Sequence, residues 1–179
     1  MSFKNLKSGL NSDGEKFQLE TDNLILLPVT KEIENQKDVV RRMTHERNFY
    51  STNFFSQTTV TEHSTLTYLR AGAISDDSRI LFLIRDKQGM LMGQVGFKNL
   101  KGASTELDAV MKYRNSYFSM YRVIQFLLDE IRVQLQIKFV SLEVRSDNKK
   151  AILLYEKLGF SLEQQDSREM KCVMGLTFQ

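Results

Sequence analysis

Leu142-Glu-Val-Arg-Ser-Asp-Asn148-Lys-Lys-Ala151-Ile-Leu-Leu-Tyr155-Glu-Lys-Leu-Gly159-Phe160 reads as a strand, a polar turn and a short amphipathic helix stopped by glycine. Val140, Leu142 and Val144 alternate with Ser141, Glu143 and Arg145, the period of two that a strand imposes. Ser146, Asp147 and Asn148 then offer helix-capping side chains. Asn148, Ala151, Leu154, Tyr155 and Leu158 fall in one helical stripe, and Gly159 stands where a left-handed C-terminal cap is wanted. An amide and a phenol seven residues apart therefore share a face with aliphatic groups.

The chain around this segment has the make-up of one soluble globular domain. It has 179 residues, enough for one well-packed core and short for two. Hydrophobic content of 41% with 26% charged residues is ordinary for such a domain. A net charge of +3, scattered along the chain, gives no footprint for nucleic acid. No apolar run reaches membrane-spanning length, and residues 1–16 lack the apolar core of an export signal, so a cytoplasmic protein is expected. One cysteine, Cys172, and two histidines, His45 and His63, offer neither a disulfide nor a metal cluster.

Working outward, residues 1–18 read as a loose tail or an extra edge element, and 19–179 as a single domain. Leu24 to Val29 is a first strand, ended or edged by Pro28. A helix is expected from Glu32 to about Thr44, and a second one through about Ala73, opened by a capping box at Thr59 and Glu62. Ile80 to Ile84 is a buried strand, and Asp86-Lys-Gln-Gly89 turns it back into Leu91 to Phe97. The next strand runs from Ser104 to Tyr113, with Leu107, Ala109 and Met111 on one face and Glu106, Asp108 and Val110 on the other. A long helix follows from Ser116 to about Gln136. It carries Tyr117, Met120, Tyr121, Ile124, Leu127, Leu128, Ile131 and Leu135 at helical spacing. Ser161 to Gln165 and Met170 to Phe178 close the chain as paired strands.

The segment from Leu142 to Phe160 resembles motif B of the GNAT acyltransferase superfamily, a strand followed by Asn-x-x-Ala-x-x-x-Tyr-x-x-x-Gly-Phe. Asn148, Ala151, Tyr155, Gly159 and Phe160 all match. The element order from about Leu19 onward is also similar to that fold, and the overall layout looks like the branch containing ribosomal-protein N-terminal and nucleotide-linked amino-sugar acetyltransferases. The resemblance implies an α/β (α+β) single domain, with a mixed, mostly antiparallel sheet of six to seven strands flanked by about four helices. It implies acetyl-CoA as cosubstrate and no metal. Tyr155 would protonate the departing thiolate, Asn148 would contact the cofactor, and a backbone N–H near Val110 or Met111 would polarise the thioester carbonyl. A phenol suits that role because it stays protonated at neutral pH and matches a thiolate in basicity.

Motif A, the phosphate cradle, departs from the family's pattern of Gln/Arg-x-x-Gly-x-Gly/Ala. Aligned on Arg114, its small positions are Tyr117 and Ser119, and no glycine lies between Gly102 and Gly159. Glycines there let a diphosphate approach the main chain. A tyrosine crowds that approach unless its ring turns outward. The cradle residues are then Arg114, Asn115, Ser116, Tyr117 and Ser119, with Arg114, Arg122 and Lys112 supplying positive charge. Tyr117 and Tyr121 are also compatible with core packing.

Acyl transfer to an amine needs a base or a water path. Glu106 and Asp108, two apart on one strand face, fill that place, and close carboxylates raise one another's pKa. An ordinary solvated strand face fits them equally. Cys172 reads as a buried strand residue, and His45 and His63 as surface groups near the acceptor side. The acceptor that the resemblance implies is a primary amine, either of a small molecule (an amino sugar among them) or of a protein N-terminus. Phe49, Tyr50, Phe54 and Phe55 with Asn48, Asn53 and Gln57 offer a surface for a sugar ring, although at least two of these aromatics are expected to close the core. Homodimerisation through the last strands is a common outcome of the fold. The alternative is a GNAT-fold module that has lost acyl-CoA binding and serves as a binding or assembly protein.

Overall fold

The computed structural model describes residues 3, 6–8, 18–19 and 23–178. In chain order these form β1 (Gln18–Leu19), β2 (Leu24–Pro28), α1 (Lys37–Phe49) and α2 (Glu62–Tyr68). Then come β3 (Ile80–Asp86), β4 (Leu91–Lys101), β5 (Ser104–Lys112), α3 (Met120–Leu135), β6 (Phe139–Arg145) and α4 (Lys149–Lys157). The strands β7 (Ser161–Asp166) and β8 (Lys171–Thr177) end the described chain. The sheet order is β1-β2-β3-β4-β5-β6-β8-β7, with β1 contributing two residues. Every neighbouring pair is antiparallel except β5 and β6.

Both faces of the sheet centre are covered, which is why β3 reads as a continuous apolar run rather than an alternating one. Ile80, Phe82 and Ile84 join Phe97, Leu107 and Leu142 under α3, whose Val123, Ile124, Leu127, Leu128 and Ile131 form the buried stripe. Leu81 and Leu83 face the other way, against Val40 and Met43 of α1 and Leu69 and Ala73 of the π-helical turn Leu69–Ile74 that prolongs α2. No helix among the described residues is long and apolar enough to cross a membrane.

Several boundaries differ from the sequence expectation for identifiable reasons. Most of residues 1–18 lies outside the described residues, but Phe3 and Leu6 are not loose. Both are buried in the α3-side core, and the Phe3 N–H donates to Asp77 O at 2.8 Å. The first helical stretch splits into a 3-10 turn, Lys31–Asn35, and α1, which runs on to Phe49. The capping box lies two residues later than expected, between Thr61 and Ser64. Asn48 holds Val60 extended, accepting its N–H at 2.8 Å and donating to its carbonyl at 2.9 Å, so the helix cannot start earlier. The long helix begins at Met120 with Ser119 as its cap, not at Ser116, because Asn115 takes a left-handed φ of 60° and turns the chain first.

α4 ends in a Schellman arrangement. Phe160 N–H donates to Tyr155 O at 3.0 Å and Gly159 N–H to Glu156 O at 2.9 Å, with Gly159 at φ 90°. Gly159→Ala is expected to lower the unfolding free energy by about 1 kcal/mol, the cost of a left-handed Cβ. Urea denaturation should show a lower midpoint with an unchanged slope.

Candidate functional site

β5 and β6 are paired only over Ser104–Leu107 and Phe139–Leu142, and then part. On its other edge β5 carries a bulge: Asp108 lies opposite Gly96 and Met111 opposite Gln94, so three steps of β5 match two of β4. The extra residue is Ala109, at φ 51°. The bulge swaps faces. Leu107 packs under α3, whereas Met111 and Tyr113 pack on the α1 side, so the expected grouping of Leu107 with Met111 on one face is corrected. Val110 accordingly packs against the α3-side core rather than sharing a face with Glu106 and Asp108. Tyr113 N–H donates to Met92 O at 2.9 Å, and ladder alternation turns the Met111 N–H toward β4 as well. Of the two expected carbonyl-polarising donors, Val110 is therefore the one left to face the gap.

A polar pair that the sequence reading missed holds the bulge. Gln94, buried on β4, donates from Nε2 to Ala109 O at 3.3 Å and accepts the Tyr113 hydroxyl at 2.7 Å. Gly93 beside it is obligatory, since a Cβ there would lie 2.6 Å from Met111 O.

Tyr155 rises from α4 into the α3-side core and is 8% exposed, its ring edge-on to Phe160 at 6.0 Å. Burial pushes its pKa up, and the charge of Asp108 pushes it further. Asp108 is the first β5 residue past the last β5–β6 pair, and its charge acts on the phenol. No hydrogen bond ties the hydroxyl to another described residue. Asn148 is the cap of α4, its side-chain oxygen accepting Ala151 N–H at 3.3 Å. That use leaves its amide N–H₂ to donate elsewhere.

Between β5 and α3 the chain makes a turn whose Tyr117 is 90% exposed, so the bulky ring stands in solvent. Ser116 and Phe118 are buried. The main-chain N–H groups of Asn115 to Ser119 find no acceptor among the described residues. Ser119 caps α3, accepting Arg122 N–H at 3.4 Å, and Arg122 lies on the helix's first turn. These unclaimed donors at a helix start are what a diphosphate requires. Arg114 points away from them: it pairs with buried Glu46 at 3.3 Å, contacts His45 Nδ1 at 2.7 Å and lies 4.0 Å over the Phe49 ring. A groove of about 520 Å³ opens beside the turn, lined by Ser119 and Tyr121 of the α3 start and Lys150, Leu153, Leu154 and Lys157 of α4. Tyr121 thus lines a groove rather than filling the core. Lys150 and Lys157 were not singled out from sequence, although their seven-residue spacing places them on one helical face with Leu153 and Leu154.

Solved structures with a similar fold are known. Spermidine N-acetyltransferase from Vibrio cholerae, in complex with CoA and spermine, matches with a TM-score of 0.68 at 18% identity, covering 87% of this chain and 95% of that one. N-acetyltransferase PseH from Campylobacter jejuni matches with a TM-score of 0.66 at 16% identity, over 88% of this chain and 99% of that one. A domain from Methanocaldococcus jannaschii gives 0.67 at 15%, over 88% and 99%. The fold is the GNAT fold. No protein-family model matches the sequence, and no curated protein does.

On the opposite face of the GNAT sheet from Tyr155's helix, Glu106 and Asp108 do not form a bare acid pair. Lys98 Nζ lies 2.9 Å from Glu106 and 3.4 Å from Asp108, Asn99 donates to Glu106 at 2.9 Å, and Arg79 stands 4.0 Å from Asp108. Lys98 thus stands between the two carboxylates, a cation that the sequence reading of two close acids did not include. Burial opposes the Lys98 charge, but the two acids outweigh it and its pKa is raised. Of the aromatic surface, Tyr50 and Phe54 pack into the α1-side core, while Phe49 and Phe55 are 57% and 45% exposed. Asn48 spends both ends of its amide on Val60 and has none for an acceptor. His63 is exposed on the first turn of α2, and Cys172 is buried.

Burial also raises the pKa of Tyr113, with Glu46 adding to it. For both Tyr113 and Tyr155 the folded value exceeds the unfolded one. Their contribution to stability is complete below about pH 10 and lost as pH rises beyond it. Burial raises the pKa of Tyr68 as well, so absorbance titration at 295 nm should show Tyr68, Tyr113 and Tyr155 ionising above the range of a free phenol. Tyr155→Phe should remove one of that group.

Proposed function

We propose that the protein is an acyl-CoA-dependent N-acyltransferase that moves an acetyl group from acetyl-CoA to a primary amine. The observation that carries this reading is the Tyr155 phenol, kept protonated by burial, standing without a hydrogen-bond partner among the described residues, and sensing the charge of Asp108, the first β5 residue past the last β5–β6 pair. The residues present suit the cosubstrate. The unclaimed N–H groups of Asn115 to Ser119 are donors for a diphosphate, and Lys150 and Lys157 flank an adjoining groove with positive charge. Tyr117, the one residue whose bulk favoured a non-catalytic module, points outward.

Acetyl-CoA supplies the activated thioester, whose acyl carbon passes to the amine nitrogen as its C–S bond breaks. In this reading the Val110 N–H polarises the carbonyl oxygen. Tyr155 holds the proton that the departing sulfur takes up; burial keeps it protonated across the neutral range but also disfavours the phenolate left behind, so in the unliganded site it is a weaker acid than a free phenol. Glu106 and Asp108 stand on the face toward α1 and α2, where the incoming ammonium must lose a proton, and Lys98 fixes both carboxylates in place. The acceptor is a small-molecule amine, an amino sugar among the candidates, or a protein N-terminus, and the setting is cytoplasmic. One structural neighbour was solved with spermine. In the present chain Lys98 and Arg79 offset the charge of Glu106 and Asp108, which disfavours so strongly cationic an acceptor.

Acetyl-CoA should raise the melting temperature of the purified protein, and an amine screen should then yield turnover. Tyr155→Phe should bind CoA as the wild type does but lower kcat by about 100-fold or more. Full activity in that variant removes the assigned acid. No effect of millimolar CoA on melting favours the binding-module alternative.

A further inference from the structure

The turn between β5 and α3 is held by two side chains 68 and 72 residues away in sequence. Glu46 of α1 is completely buried. Its Oε2 accepts the Arg114 main-chain N–H at 3.1 Å, and its Oε1 accepts Arg114 Nε at 3.3 Å and pairs with Arg42 at 3.0 Å. The same Arg42 guanidinium donates to the Arg114 carbonyl at 3.0 Å. Both main-chain polar groups of one residue are therefore claimed by α1. At the other end of the turn Lys112 Nζ donates to Phe118 O at 2.5 Å. Between the two anchors lie Asn115, at φ 60°, and the unclaimed N–H groups of Asn115 to Ser119.

A buried ion cluster is a poor device for stability alone, because apolar side chains of similar volume do as well or better. What it supplies here is direction. Each contact ends on a main-chain atom of Arg114 or on the guanidinium that covers it. The cluster also leaves charge behind: two guanidinium groups against one carboxylate give a single net positive charge next to donors that await an anion. In a glycine-rich cradle the absent Cβ atoms let the turn adopt its shape, whereas here the shape has to be imposed from outside.

We infer that Glu46 and Arg42 are positioning residues for the anion-binding turn, fixing Arg114 so that residues 115–119 present their N–H groups to the diphosphate of an acyl-CoA. The inference rests on the acyl-CoA reading above. Its test compares wild type, Glu46→Gln and Arg42→Gln, each first checked by unliganded melting. Calorimetry gives the Kd for CoA, and ligand-observed NMR follows S-acetylpantetheine, a thioester lacking the diphosphate. Both variants should weaken CoA by about tenfold or more while leaving the S-acetylpantetheine signal unchanged. A folded variant that binds CoA within about twofold of wild type overturns the inference, as does an equal loss for both ligands. If Glu46→Gln fails to fold, Arg42→Gln decides, since that side chain is 38% exposed. A wild type that does not bind CoA overturns the acyl-CoA reading itself, and is told apart by needing no variant.

Discussion

Four residues of β5 pair with four of β6, and there the ladder stops. Main-chain N–H and C=O groups that leave a ladder inside a protein must find other partners, in water or in a ligand. From Asp108 to Lys112 the edge of β5 that faces β6 has no ladder at all, although its opposite edge stays paired with β4. The sheet therefore carries a wedge of unpaired backbone at its centre, and the surrounding elements are arranged to keep it. The Ala109 bulge bends β5 away, Gln94 fastens the bulge, and α4 brings Tyr155 into the α3-side core. Pulling β5 straight would turn Met111 and Tyr113 out of the α1-side core, so the gap is sustained by packing on the far face.

The parts of this design that were legible in the sequence are local. The β6–α4 segment combines strand alternation, a capping asparagine, a helical stripe and a glycine with a left-handed φ, all within some twenty residues. Each of those signals acts over a few bonds. The bulge gave no such sign. Ala109 adopts a conformation that alanine disfavours, held there by Gln94 fifteen residues away, and one extra residue exchanges every later side chain between faces. Period-two reading was correct up to Asp108 and inverted after it.

Glu46 was hidden differently. Between His45 and Arg47 it looks like one more solvated charge, yet it follows Val39 and Met43 at helical spacing and so falls on the buried stripe of α1. A charge on an apolar stripe is the available signal, but its partners, Arg42 four residues back and Arg114 just past the end of β5, become evident only in three dimensions. Phe3 and Leu6 are similar. Two apolar residues in a polar stretch do not announce a docking site, and they become part of the core only because β3 and β4 leave room for them.

Glycine in a phosphate cradle does two separable things: it vacates space near the anion and it permits unusual backbone angles. At Tyr117 the first need is met by direction, since the ring leaves the turn for solvent, and Phe118 leaves it for the core. The second need shrinks to one residue, Asn115, and asparagine is among the side chains that tolerate a left-handed φ. What the missing glycines take away is therefore neither room nor conformation but the ease with which the turn finds its shape. A turn built from Asn-Ser-Tyr-Phe-Ser has other conformations open to it, and each of its N–H groups helps an anion only when aimed. Anchoring both ends, through Glu46 and Arg42 at Arg114 and through Lys112 at Phe118, removes much of that choice before a ligand arrives.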